Sequence, residues 1–162
     1  MDSKHLRDGY DRSAGRYDER FTELQRPKLD AVLARVAPRG RVLDVGCGTG
    51  FLGERVKGAI GLDLSLEMLR RGRGARVQGD ALALPFRDGS FETAFAVTSL
   101  LGSVMTALVE LHRVLVPGGT LALTLLRADV PRDFAGDLAA AGFALRERFA
   151  CGQDEGFVTA RR

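Results

Sequence analysis

Cysteine and histidine are scarce in this chain of 162 residues: Cys47, Cys151, His5 and His112 are all there are, and none stands in a C-x-x-C or H-x-x-x-H spacing. A structural zinc needs a full ligand set at such spacings, so no metal site is expected. Long apolar runs are missing as well. The longest uncharged stretch, Thr93 to Val109, is interrupted by Thr98, Ser99, Gly102, Ser103 and Thr106. It falls short of the roughly 20 apolar residues of a membrane span. The opening MDSKHLRDGY is charged from its second residue and holds no apolar signal core, so the expectation is a cytoplasmic protein with reduced thiols.

Lysine is nearly absent, with only Lys4, Lys28 and Lys57, so the net charge of +3 rests almost wholly on scattered arginines. A nucleic-acid footprint requires clustering, and the one dense group is Arg70, Arg71, Arg73 and Arg76. Arginines are also favoured at a helix C-terminus by the helix dipole, and that solvated-face reading is preferred. Nucleic acid is therefore open as a partner but not favoured.

What is present is the composition of a packed soluble domain, 45% hydrophobic and 28% charged, at the length of one domain. We expect a single unit over 1–162, with 1–25 as an N-terminal cap and 26–162 as the core. The pattern Leu29, Val32, Leu33, Val36 predicts a helix with Pro27 in its first turn and Pro38-Arg39-Gly40 as its stop. Strands are expected at 41–45, 59–63, 76–78, 91–97 and 120–126, the last after a turn at Pro117-Gly118-Gly119. Helices are expected at 50–57, 65–71, 103–115 and 131–141. Phe143 to Ala150 and Gly156 to Arg161 read as a hairpin around 152–155. Strands alternating with helices, closed by a hairpin, imply a doubly wound α/β sheet with one antiparallel strand and helices on both faces.

The densest signal is Val42-Leu43-Asp44-Val45-Gly46-Cys47-Gly48-Thr49-Gly50, a strand, a glycine turn and a helix start. Glycines there remove side chains where a ligand must approach the backbone. Gly48 to Gly53 also fits G-x-G-x-x-G, the dinucleotide fingerprint. Here, however, Gly46 already ends the strand, Asp44 stands inside it, and the next acid, Asp63, follows Gly48 by 15 residues instead of about 20.

The whole arrangement resembles the class I S-adenosylmethionine-dependent methyltransferases, in particular the small quinone and small-molecule branch. The resemblance rests on VLDVGCGTG at 42–50, GLDLS at 61–65, GDALALPF at 79–86, FETAFAVTSL at 91–100 and LHRVLVPGGTLALTLL at 111–126. It implies a Rossmann-like seven-stranded sheet of order 3-2-1-4-5-7-6 with strand 7 antiparallel, and S-adenosyl-L-methionine as cofactor. It further implies that Gly46, Cys47, Gly48 and Gly50 form the loop under the methionine part of the cofactor, with Asp44 toward its amino group. Asp63 would accept from both ribose hydroxyls. Asp80 with Ala81 would hold the adenine amino group, between Leu64 and Leu82, and Thr98 would also touch the cofactor.

Methyl transfer from a sulfonium is an in-line displacement that needs proximity more than a dedicated nucleophile. The catalytic residue is therefore left unknown, with Tyr10, Asp11, Tyr17, Thr98 and Ser99 as candidates for a general base. Tyr10, Asp11 and Tyr17 fall in Y-D-x-x-A-x-x-Y-D at 10–18, which looks like a cofactor-covering segment of that branch. His112 is expected to be structural. The fourth strand ends in Val97-Thr98-Ser99-Leu100, not in the N/D-P-P-Y/F motif of amino-group methylation, and no cysteine lies on strand 4 or 5 for attack on a pyrimidine. The resulting expectation is methyl transfer to a small-molecule acceptor. The alternatives are an RNA or protein methyltransferase with an open site, a small NAD(P)-dependent dehydrogenase, and an inactive cofactor-binding subunit. Residues 1–25 or a second subunit of a homodimer would roof the pocket.

Overall fold

The structure, a computed structural model, describes residues 8–9 and 23–162. Tyr10, Asp11, Tyr17 and nearly all of the 1–25 cap lie outside the described residues. Helix α1 covers 23–33, so Pro27 stands within the helix and not at its described start. The chain then runs β1 (Val42–Val45), α2 (Phe51–Arg55), β2 (Ile60–Asp63), α3 (Leu66–Arg71), β3 (Arg76–Gln78) and β4 (Phe91–Val97). It continues through α4 (Val104–Val114), β5 (Leu115–Leu126), α5 (Phe134–Ala140), β6 (Phe143–Cys151) and β7 (Asp154–Arg161). Ser65 begins α3 by accepting a hydrogen bond from the Met68 amide, the N-cap expected of it.

All the strands join one seven-stranded sheet of order β3-β2-β1-β4-β5-β7-β6, in which β7 is antiparallel to both its neighbours. Alternation along the central strands sorts side chains to opposite faces. Leu43, Val45, Ala94, Ala96, Leu121 and Leu123 pack with Leu108 and Leu111 of α4 and with Phe134 and Leu138 of α5. Val42, Phe95 and Ala122 pack on the other face, with Leu29 and Val32 of α1 and Leu52 of α2. Helices thus cover both faces. At the outer edge the β6–β7 pairing slips between Leu145 and Glu147.

Three boundaries differ from the sequence expectation. Pro117-Gly118-Gly119 does not separate a helix from a strand. β5 begins at Leu115, and residues 116–119 form an irregularity, because Leu115 pairs with Phe91 and Thr120 already with Thr93. Gly118 at φ +76 makes that detour possible inside the sheet. Helix α5 starts at Phe134, after a 3-10 turn at Arg127–Asp129, because the Asp133 carboxylate caps the Gly136 amide. The hairpin is tighter than expected: Cys151 pairs with Asp154, leaving only Gly152 and Gln153 as the turn.

Candidate functional site

The carboxyl ends of β1, β2 and β4 meet around the glycine turn. The amides of Gly46 and Cys47 both donate to the Leu62 carbonyl, at 2.7 and 3.0 Å, so the turn bends back over β2. Asp63, the last residue of β2, then holds it: Oδ2 accepts from the Gly48 amide and Oδ1 from the Ser65 amide, each at 2.8 Å. Gly46 sits at φ +71, and a Cβ there would lie 2.2 Å from Cβ of Ser99. Only glycine lets β1 and β4 approach so closely at this point.

This packing frames two clefts that share Gly46 and Val97. The first is lined by Gly48, Asp63, Leu64, Asp80, Ala81, Thr98 and Ser99 together with Leu62, Met68 and Leu101. The second, on the α1 side, is lined by Gln25, Leu29, Asp44, Cys47, Phe51 and Val97. Asp44 is 6% exposed, and burial together with the nearby Asp63 charge pushes its carboxyl up to about 7. Burial likewise raises the Cys47 thiol, which makes it a small filler and not a nucleophile. Asp80 accepts from the Leu82 amide at 2.9 Å, which fixes the turn after β3.

A third cleft adjoins the first through Thr98 and Leu101. Its other walls are Leu100, Gly102, Val104, Leu125, Leu126 and Asp129. Thr98 lies between the two clefts, and its hydroxyl is engaged, donating to Asp154 Oδ2 at 2.5 Å. The Ser99 hydroxyl donates to the Val45 carbonyl at 2.6 Å.

Most of the residues singled out in the sequence therefore converge. Gly50 does not line a cleft; at φ +99 it opens α2. Leu82 does not line one either, since its side chain packs on the core. Met68, Gly79 and Gln25 were not foreseen. Met68 is reached only through the fold of α3 onto β2, whereas Gly79 adjoins Asp80 and was legible as the glycine beside an acid. His112 stacks edge-on against Phe143, well outside these clefts, and burial lowers its pKa. Of the arginine group, Arg70 pairs with Glu67 on α3, whereas Arg76 lies in β3, half-buried, and donates to the Leu69 carbonyl at the end of α3. Among the described residues no cluster of three or more His, Cys, Asp or Glu could hold a metal ion, and no helix is long and apolar enough to cross a membrane.

With the glycine turn, the acids at three strand ends and this strand order in hand, residues 43–123 match the family described as Methyltransferase domain. The chain belongs to that methyltransferase family. It is 36% identical over 142 residues to a malonyl-[acyl-carrier protein] O-methyltransferase of Enterobacter lignolyticus, covering 80% of this chain and 56% of that protein. It is 40% identical over 108 residues to a 2-phytyl-1,4-naphtoquinone methyltransferase of Synechocystis, covering 54% of this chain and 45% of that protein. The chain thus spans about half the length of the curated relatives it matches. A solved S-adenosylmethionine-dependent methyltransferase from Thermotoga maritima superposes with a TM-score of 0.81 at 21% identity, over 94% of this chain and 98% of that one. That likeness establishes the class I fold, in agreement with the sequence expectation.

Proposed function

We propose that this chain transfers a methyl group from S-adenosylmethionine to a small-molecule acceptor. The observation that carries the reading is the pair of clefts joined at Gly46, with Asp44 in one and Asp63 and Asp80 in the other. The cofactor fits this donor set. Asp63, held at the end of β2 by the Gly48 and Ser65 amides, would accept from the two ribose hydroxyls, as a carboxylate with two acceptor oxygens can. Ala81 and Leu64, with Met68, offer apolar walls beside Asp80 for an adenine ring. Asp44 would accept from the amino group of the methionine part. Cys47, Gly48 and Gly50 shape the loop, and Leu82 is proposed to face the adenine from the side opposite Leu64.

When bound, the cofactor supplies a methyl group already activated by the sulfonium. The chain's part is then to hold and orient. Gly46 and Ser99 fix the distance between β1 and β4, and Thr98 stands where the cofactor cleft opens into the aliphatic third cleft. An acceptor in that third cleft would meet Leu100, Leu101, Val104, Leu125 and Leu126, walls that suit a compact apolar molecule. Tyr10 and Tyr17 are proposed to cover the cofactor, and Asp11 remains a candidate base. With Thr98 and Ser99 already donating to protein acceptors, we assign those two to positioning. The resemblance to malonyl-[acyl-carrier protein] and naphtoquinone methyltransferases supports a small acceptor group, free or borne on a carrier, over RNA.

We further propose a cytoplasmic location and one domain over 1–162. Segment 1–25 is proposed to roof the pocket, with a homodimer as the alternative roof. Calorimetry tests the cofactor: S-adenosylmethionine is expected to bind in the micromolar range and NAD not at all. The reverse result would make the chain a dehydrogenase. Labelled cofactor incubated with a metabolite pool and with bulk RNA tests the acceptor, using the intact chain and one lacking 1–20. Labelling of a metabolite, lost on truncation, supports the reading. Labelling of RNA alone overturns the acceptor assignment, and binding without turnover on any acceptor would mark a supporting subunit.

A further inference from the structure

Beneath the wall between the first and third clefts lies a charged cluster that the proposed chemistry does not use. Asp154, the first residue of β7, is fully buried, and Lys28 of α1 is 9% exposed. The Lys28 ammonium lies 2.9 Å from Asp154 Oδ1, and among the described residues it is the only partner of that sealed oxygen. It also donates to Oγ1 of Thr98 at 3.0 Å. Asp154 Oδ2 accepts from the hydroxyls of both Thr98 and Thr124, at 2.5 and 2.8 Å. Thr124 in turn accepts from the Thr98 amide, through Oγ1 at 3.0 Å and its carbonyl at 3.1 Å.

Everything in this cluster converges on one residue. Thr98 has φ +52, and among the described residues no other non-glycine has a positive φ. For a β-branched residue that conformation is strained and persists only where the surroundings over-determine it. Here the amide and the hydroxyl of Thr98 are both held by the cluster. The following residue, Ser99, is locked to Val45 and fills the space above Gly46. A buried ion pair is a poor device for stability, because two charges lose their water and an apolar pair of the same volume serves as well. What it supplies is geometry, since each partner fixes the other in position.

We propose that Lys28 and Asp154 are positioning residues for the cofactor cleft: their ion pair holds Thr98 in its left-handed conformation and so fixes the Thr98–Ser99 wall. The inference rests on the cofactor reading given above. It gives α1, whose Gln25 and Leu29 line the second cleft, a hold on the first as well, through Lys28, which lines none of the clefts. The pairing joins three separate parts of the chain: α1, the end of β4, and the β6–β7 hairpin.

The test is cofactor affinity by calorimetry, measured on the folded protein well below its Tm. Lys28→Met and Asp154→Asn each leave a lone member of the pair and are expected to weaken S-adenosylmethionine binding about tenfold, as small displacements of positioning groups do. Combining them breaks the same pair only once, so the double variant should bind within about threefold of the weaker single one, far short of the product of the two losses. Thr124→Val, an isosteric change outside the clefts, keeps the test open if the charge variants do not fold, and should cost about fivefold. Variants with lowered Tm and unchanged affinity would overturn the inference, as would a double variant whose loss equals the product of the two single losses or a Thr124→Val protein that binds like wild type. A wild-type chain that binds no S-adenosylmethionine would instead overturn the cofactor reading, and the inference with it.

Discussion

Asp44 lines a cleft although its carboxyl is buried. Its carboxyl moves from 3.8 to about 7. Across that window the unfolded chain has released the proton and the folded chain retains it. Stability therefore falls as pH rises from 3.8 to about 7 and is level above. Asp44→Asn should abolish this slope, seen as a wild-type minus variant difference in urea midpoints that shrinks toward pH 7. A cation bound beside Asp44 reverses the preference, so cofactor affinity should rise with pH up to about 7 in wild type and stay flat in Asp44→Asn. Asp63→Ala should weaken the cofactor by about 1.5–3 kcal/mol, because it removes hydrogen bonds to a charged acceptor. Wild-type affinity in that variant would refute the ribose role. The acids and glycines were legible at this scale because each is marked by its own neighbours in sequence. Thr98 was legible as a cofactor contact and base candidate at a strand end, but not as the strained residue it is. Its conformation depends on Lys28, Thr124 and Asp154, which no local pattern links to it.

At the scale of elements, the segment carrying Asp80 and Ala81 is pinned from behind by α4. Arg113 gives all its donors there: to Glu110 at 2.9 and 2.8 Å, to the carbonyls of Leu84 and Phe86 at 2.9 and 2.7 Å, and to Asp88 at 2.9 Å. Glu110 also accepts from the Leu84 amide, and its hydrogen bond to Arg113 holds its carboxyl below the usual range. Arg113→Met leaves two carbonyls without donors and should cost about 1.5–3 kcal/mol of stability. It should also weaken cofactor binding, since the freed segment carries Asp80; a Tm loss with unchanged affinity would confine Arg113 to stability. Helix and strand cores were readable from periodicity, as α4 and β4 show. Boundaries were less so where a side chain or an irregularity intervenes. Asp133 delays α5 by capping it, and residues 116–119 stay in the sheet although a proline and two glycines read as a turn.

Over the whole molecule, the central strands belong to both cores: Phe95 faces α1 and α2 while Ala94 and Ala96 face α4 and α5. Neither layer can detach without exposing the other face of the same strands. Thermal unfolding should accordingly be one transition, with calorimetric and van't Hoff enthalpies equal. Two resolved transitions would contradict the single-domain expectation. Strand order was legible because alternating strands and helices leave few right-handed solutions, and the closing hairpin marked β7 as antiparallel. How segment 1–25 contributes was not, since its aromatic residues are spread among charges with only a weak apolar face.

The slip in β6 bears on how copies of this chain behave at high concentration. β6 forms the outer margin of the sheet, and there the register breaks between Leu145 and Glu147 while Arg146, Glu147 and Arg148 put charge along the rim. At the opposite margin β3 is three residues long. A short strand on one side and a charged, irregular one on the other offer no straight run of unpaired amides and carbonyls to a newcomer. The sheet is thereby protected from growing by strand addition into a fibre.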